Sequence, residues 1–214
     1  MLERLVCIVI GYICGLFQTS YIYGKAHGID IRSYGSGNAG TTNALRILGT
    51  KAGVITFLGD CFKCVVAVLI AWLIFGKSHP DNFRLLGLYA SAGTILGHNF
   101  PFYLQFRGGK GIAATAGLLV SFDWRLTLAA LVVFLVVFLT THYVSLGSLL
   151  VYVVFMGGII LMGQTGQFAM KSAEIYEMYI LAGALAILAF WKHRANIVRL
   201  IHGNENKTYL KKKK

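Results

Sequence analysis

Between Arg125 and Lys171 the chain runs for 45 residues, 126–170, without a single Asp, Glu, Lys or Arg. One bilayer crossing takes roughly 20 apolar residues, so this stretch must cross, turn and cross again. Irregular polar backbone cannot face hydrocarbon, so the turn belongs at a surface or in a protein-walled cavity. Thr140-Thr141-His142-Tyr143 supplies it. The remaining uncharged runs place spans at about 5–23, 52–75 (interrupted by Asp60 and Lys63), 85–103, a short 112–122, 126–139, 146–162 and 175–191. Composition agrees: 57% of residues are hydrophobic and 13% charged, against about 45–50% and about 25% in a soluble domain. The sequence therefore predicts an all-α polytopic membrane protein with about seven transmembrane helices, in a single domain over 1–214. Residues 5–23 are too long for a signal-peptide core and lack an A-x-A cleavage site, so they form a retained first span.

Seven spans put the termini on opposite sides. One face then carries Lys25, Arg32, Arg46, Lys51, Arg107, Lys110, Lys192, Arg194, Arg199, Lys207 and Lys211 to Lys214, while the other carries Arg4, Lys77, Arg84, Arg125 and Lys171. The positive-inside rule assigns the richer face to the cytoplasm, leaving the N-terminus outside and the C-terminus inside. The net charge of +12 thus reflects loop topology and anionic ligands, and nucleic-acid binding is excluded. The Lys211–Lys214 run is expected to rest on anionic lipid. Cys7 and Cys14 lie inside the first span. Cys61 and Cys64 form a C-x-x-C in an apolar helix; without a second pair they are packing residues, and no metal site is expected.

Three polar constellations fall on the basic face. The first is Gly35-Ser36-Gly37-Asn38-Ala39-Gly40-Thr41-Thr42-Asn43, leading into a short helix that carries Arg46 and stops at Gly49. Its glycines allow positive φ and close backbone approach, and Ser36, Asn38, Thr41 and Asn43 add donors, which suits an anion. The second is Gly97-His98-Asn99-Phe100-Pro101 followed by Phe106-Arg107-Gly108-Gly109-Lys110-Gly111. It is not a nucleotide P-loop, because Gly111 stands where that motif has Ser or Thr; a local anion loop over Gly108 and Gly109, with Lys110 as a point charge, remains. The third is Lys192-His193-Arg194-Ala195-Asn196-Ile197-Val198-Arg199. Helical spacing gives His193 and Asn196 a shared face and brings Arg199 only partly round to it. Asp60 and Lys63, three apart within a span, are either an intramembrane functional pair or a salt bridge holding helices together.

Absences narrow the chemistry. Only Asp30, Asp60 and Glu205 supply carboxylates to this half of the chain, and neither a G-x-S-x-G elbow nor a His-x4-Asp acyltransferase motif is present. Cations and donors without bases suit anionic substrates handled by positioning and electrostatics. A transporter or channel for phosphate esters is the alternative, but it would be expected to show repeated halves and midplane sites.

With these motifs in their order, the chain resembles the bacterial acyl-phosphate:glycerol-3-phosphate acyltransferases of the PlsY type. Tyr143-Val144-Ser145 and the Asp60/Lys63 pair also match. The departures are Arg107 where the family often has Lys, Cys64 where Gly is common, and the terminal lysine run. The resemblance implies a bacterial inner-membrane enzyme whose active site faces the cytoplasm. It would move a fatty acyl group from acyl phosphate to the 1-hydroxyl of glycerol 3-phosphate, releasing lysophosphatidate and phosphate without cofactor or metal. A soluble enzyme that makes acyl phosphate is the implied protein partner. Ser36, Arg46 and Lys110 are the expected catalytic residues. Gly37, Asn38, Thr41, Asn43, His98, Gly108, Gly109, Ser145, His193 and Asn196 are expected to bind substrate.

Overall fold

A backbone surrounded by hydrocarbon must satisfy its N–H and C=O groups within its own segment, so the long apolar runs become helices. In the computed structural model, which describes residues 1–209, the helices in chain order are α1 Leu2–Gly15, α2 Thr19–Ala26, α3 Thr41–Leu48, α4 Thr50–Phe75, α5 Phe83–Asn99, α6 Ile112–Phe122, α7 Trp124–Thr141, α8 Val144–Gln164, α9 Ser172–Lys192 and α10 Arg194–Ile201. The Lys211–Lys214 run lies outside the described residues. Five segments are long and apolar enough to cross a bilayer: α1 with α2, α4, α7, α8 and α9. The helices α5, with 17 residues, and α6, with 11, are shorter.

The uncharged 45-residue run breaks where its polar tetrad lies. The α7 helix ends at Thr141, His142 takes a left-handed φ of 61°, and α8 begins at Val144. The first expected span is one candidate crossing, Leu2–Ala26, built of two helices: between α1 and α2 the buried Gln18 turns its amide nitrogen onto the carbonyls of Gly15, Gly97 and His98. One expected span is corrected in its bounds. The span expected to run to residue 103 stops at Asn99, because Phe100 precedes Pro101 and is driven out of the α region. A short 3₁₀ turn, Phe102–Leu104, follows.

Almost every residue of α5 from Leu85 to Asn99 is buried, which makes it the axis of the bundle. Helix α1 lies against it through glycines on both sides. A Cβ at Gly11 would collide with the Ala90 carbonyl oxygen, one at Gly15 with that of Thr94, and one at Gly93 or Gly97 with those of Ile8 or Tyr12. Each helix thus offers a G-x3-G stripe that lets the backbones touch, the device membrane helices use where no hydrophobic effect drives association. Gly117 of α6 similarly meets the Cys61 carbonyl of α4, beside Cys64. Both cysteines are free thiols at this packing contact. The larger apolar core joins α5, α6, α8 and α9 around Phe122, Tyr152, Phe155 and Met178. On α7, Leu128, Leu131, Val132, Leu135, Val136 and Leu139 stay exposed, an apolar face that suits lipid.

Candidate active site

The polar contacts gather at two ends of the bundle. At one end, Arg4 holds Glu177 with Nη2 to Oε2 at 2.8 Å, Tyr89 donates to the same carboxylate, Asn82 donates to Glu174, and Arg125 grips Asp123. Both arginines, Arg4 and Arg125, come from the poorer of the two charge sets. The other end carries the three motifs.

The first motif is shaped by Asn43. Its side chain is 1% exposed; Nδ2 donates to the Ile31 and Tyr34 carbonyls, both at 3.0 Å, and Oδ1 accepts from the Ser36 N–H at 3.0 Å. Asn43 therefore folds the loop, while the Ser36 side chain stays exposed at its tip. Gly35 and Gly37 hold φ of 58° and 68°, which L side chains adopt only under strain. Asn38 closes the next turn, its carbonyl accepting from Gly40 N–H. Thr41 opens α3 with its hydroxyl buried and without a hydrogen-bond partner among the described residues.

The second motif packs directly on the first. A Cβ at Gly109 would strike both His98 Nε2 and the Ala39 carbonyl, and one at Gly108 would strike the His98 carbonyl. Only glycine allows this approach of loop to ring. A cavity of about 250 Å³ lies between the two loops, lined by Asp30, Arg32, Ser33, Gly37, Gln105 and Arg107. Arg32 is fixed there by Asp30, Nη2 to Oδ2 at 2.7 Å, and in return its guanidinium lowers the Asp30 carboxyl to about 2.

Beneath the loops sits a buried charge cluster. The Lys63 ammonium donates to Asp60 Oδ1 at 2.8 Å, to the Phe17 carbonyl at 2.7 Å, and meets His98 Nδ1 at 2.8 Å. Thr19 Oγ1 donates to Asp60 Oδ1 at 3.0 Å. With its three N–H groups directed at these three acceptors, Lys63 leaves His98 Nδ1 as an acceptor. The ring proton then belongs on Nε2, which faces Gly109. His98 is thus a neutral donor held from behind, inside the bundle rather than open to solvent. Asp60 and Lys63 are themselves 1% and 6% exposed and serve as its support.

The third motif straddles the junction of α9 and α10. His193 Nδ1 lies 2.8 Å from the Ala189 carbonyl, which can only accept, so Nδ1 carries the proton and Nε2 is left as an acceptor. Burial, and secondly the charge of Lys110, lower this imidazole to about 4, so it is neutral at pH 7. Lys110 donates to Asn196 Oδ1, joining the second motif to the third across 86 positions of sequence. Asn196 Nδ2 donates to Glu205 Oε1 and Arg199 Nε to Glu205 Oε2, each at 2.8 Å. The chain reverses at Gly203, with φ of 69°, and returns this carboxylate to α10. Arg199 therefore shares Asn196's partner fully, where helical spacing alone brings it only partly round. Burial is the main reason that Lys110 falls to about 8; Glu205 opposes the shift, and Arg199, Lys192 and Arg46 reinforce it. Ser145, one turn into α8, has a buried hydroxyl with no partner among the described residues.

Three cations, Lys110, Arg46 and Arg199, thus gather around a single carboxylate, that of Glu205. Among the described residues no three His, Cys, Asp or Glu side chains gather as a metal-holding group. Such a surplus of positive charge and donors, at one end of a helical bundle, suits anionic ligands.

Residues 5–203 match the family model for glycerol-3-phosphate acyltransferase. The glycerol-3-phosphate acyltransferase of Clostridioides difficile (strain 630) is 40% identical over 213 residues, 97% of each chain, and that of Halalkalibacterium halodurans is 41% identical over 207 residues, 96% of each. The crystal structure of PlsY (YgiH), an integral membrane glycerol 3-phosphate acyltransferase, in its glycerol 3-phosphate form, superposes with a TM-score of 0.81 at 30% identity, covering 96% of both chains. Its lysophosphatidic acid form gives 0.78 at 29% identity, covering 97% of this chain and 96% of that one. The chain belongs to the glycerol-3-phosphate acyltransferase family, and it is a multi-pass membrane protein and an acyltransferase.

Proposed function

We propose that this chain acylates the 1-hydroxyl of glycerol 3-phosphate with acyl phosphate as donor, in the bacterial inner membrane and from the cytoplasmic side. The observation that carries the reading is the Lys110–Asn196 bond, which draws two anion-binding motifs into one cation-rich cluster. On this reading Ser36, Thr41 and the backbone around Gly37 hold the acyl phosphate, with Asn38, Gly108 and Gly109 shaping the loop edge and Asn43 fixing it from beneath. Arg46 and Lys110 neutralise the phosphate charge. Glycerol 3-phosphate meets Ser145, His193 and Asn196, and His98 offers its Nε2–H beside Gly109.

In the reaction the substrate hydroxyl oxygen bonds to the acyl carbon, and the bond from that carbon to the phosphate oxygen breaks. The hydroxyl proton passes to a phosphate oxygen, and lysophosphatidate and inorganic phosphate leave. A neutral His193 lowered to about 4 is a weak base. It suits orienting the hydroxyl through Nε2 better than deprotonating it, which supports the donor phosphate as proton acceptor.

Topology belongs to the same proposal. We take α5 and α6 as crossings too, which makes seven, with the N-terminus outside and the C-terminus cytoplasmic. The segregation of polar contacts into two ends supports this, since each joins segments on the same side of a seven-crossing path. Acyl phosphate implies a soluble enzyme that produces it. The test is phosphate release by purified protein in detergent given palmitoyl phosphate and glycerol 3-phosphate. Release that needs both substrates, with lysophosphatidate formed in equal amount, is expected. No release by a folded, monodisperse sample would overturn the proposal.

A further inference from the structure

The family match ends at residue 203, yet the chain does not leave the site there. From Asn204 it turns back, its N–H bonded to the Arg199 carbonyl at 2.9 Å, and runs across the cation cluster to Tyr209. Glu205 ties this strap to α10 through Asn196 and Arg199. Thr208, 3% exposed, ties it to the α7–α8 turn, its N–H donating to the His142 carbonyl at 3.0 Å. The Tyr209 ring lies 4.6 Å from that of His142. Between these anchors the strap takes hold of α3: Arg46 Nη2 donates to Thr208 Oγ1 at 2.6 Å and to the Asn206 carbonyl at 3.1 Å.

Only one nitrogen of the Arg46 guanidinium is engaged this way. Among the described residues Nε and Nη1 have no hydrogen-bond partner. A guanidinium is a planar fork, so fixing one nitrogen fixes the directions of the others. An arginine free to swing would lose rotamer entropy on meeting a phosphate, and a held one has already lost it. We infer that the C-terminal strap is a positioning element for the reaction. Thr208 and the Asn206 carbonyl hold the Arg46 guanidinium by Nη2, so that Nε and Nη1 remain available to a substrate phosphate. The inference rests on the proposed role of Arg46 and adds a residue that touches no substrate.

The test uses the full chain in detergent, variants of Thr208 and Arg46, and a chain ending at Lys207. Thr208→Val removes the hydroxyl at nearly constant shape. It is expected to lower kcat/KM about tenfold at unchanged melting temperature, the scale of one hydrogen bond to a charged group. Thr208→Ser restores the rate, since only the hydroxyl is needed. In an Arg46→Lys background, which lacks the planar fork, Thr208→Val costs nothing further. A chain ending at Lys207 loses the same factor and stands in should Thr208→Val fold poorly. An equal loss from Thr208→Val in both backgrounds, or no rescue by serine, would make the strap merely structural and overturn the inference alone. Full activity of Arg46→Ala would instead overturn the assignment of Arg46, and the inference with it.

Discussion

At pH 7 Lys110 is still mostly an ammonium, but burial and its cationic neighbours bring its titration down to about 8. On the proposed reading, the charged form is the one that meets a phosphate. Raising the pH through about 8 therefore removes the partner from the free enzyme, and kcat/KM for glycerol 3-phosphate should fall along a one-proton limb. Well below about 8 the lysine is fully charged and contributes no further change. Lys110→Arg should move the limb upward, because a guanidinium does not lose its proton in this range. Lys110→Ala should cost at least tenfold in turnover, the low end of about 1.5–3 kcal/mol for a hydrogen bond to a charged group. Rates unchanged by Lys110→Ala would remove it from the site. Asn196 sits between Lys110 and Glu205. Asn196→Ala should raise KM for glycerol 3-phosphate more than for acyl phosphate, which initial rates with each substrate varied in turn would show. Equal effects would assign Asn196 to the fold or to a shared transition state. The residue types of this candidate site are the ones that the sequence analysis singled out. Its partners were not legible there: nothing in sequence marks Asn43 as a loop brace or Glu205 as a bridge, because both roles depend on where the chain returns.

Among the elements, α4 carries the bundle's most demanding feature, an Asp60–Lys63 pair at membrane depth. Removing one partner of a buried pair leaves an uncompensated charge, at a cost of about 3–5 kcal/mol, whereas replacing both by apolar residues is often neutral. Asp60→Asn should thus lower the unfolding temperature in detergent more than the double change of Asp60→Leu with Lys63→Met. The double variant should nevertheless fail to recover turnover, because His98 loses the ammonium that keeps its proton on Nε2. Full turnover in the double variant would show that the pair only holds helices. Sequence left these two roles open, and the 2.8 Å contact from Lys63 to His98 is what joins them. The G-x3-G stripes of α1 and α5 were present in the sequence too. A glycine stripe does not name its partner, however, and only the packing shows that Gly11 and Gly15 face Gly93 and Gly97.

At the scale of the molecule, the proposed seven-crossing path puts Lys207 and Lys77 on opposite sides of the membrane. Single cysteines placed at Lys207 and Lys77, in a background without native thiols, should react with an impermeant reagent from opposite sides of sealed vesicles. Lys207 should label from the cytoplasmic side. Labelling of both from one side would overturn the seven-crossing topology, though not the family.

Hydrophobic run length by itself determined that the chain is a helical membrane protein, and placed the break at 140–143, because hydrocarbon leaves a backbone few choices. Glycine and cation spacing by themselves marked three candidate anion-binding segments. The fold alone set how those segments meet: the glycine loop against His98, Lys110 on Asn196, and the strap on Arg46. It also decided that the first span breaks at Gln18 and that α5 stops at Asn99. Each of these depends on contacts between residues far apart in the chain. Periodicity and propensity describe neighbours, whereas such contacts are set by the packing of the whole bundle.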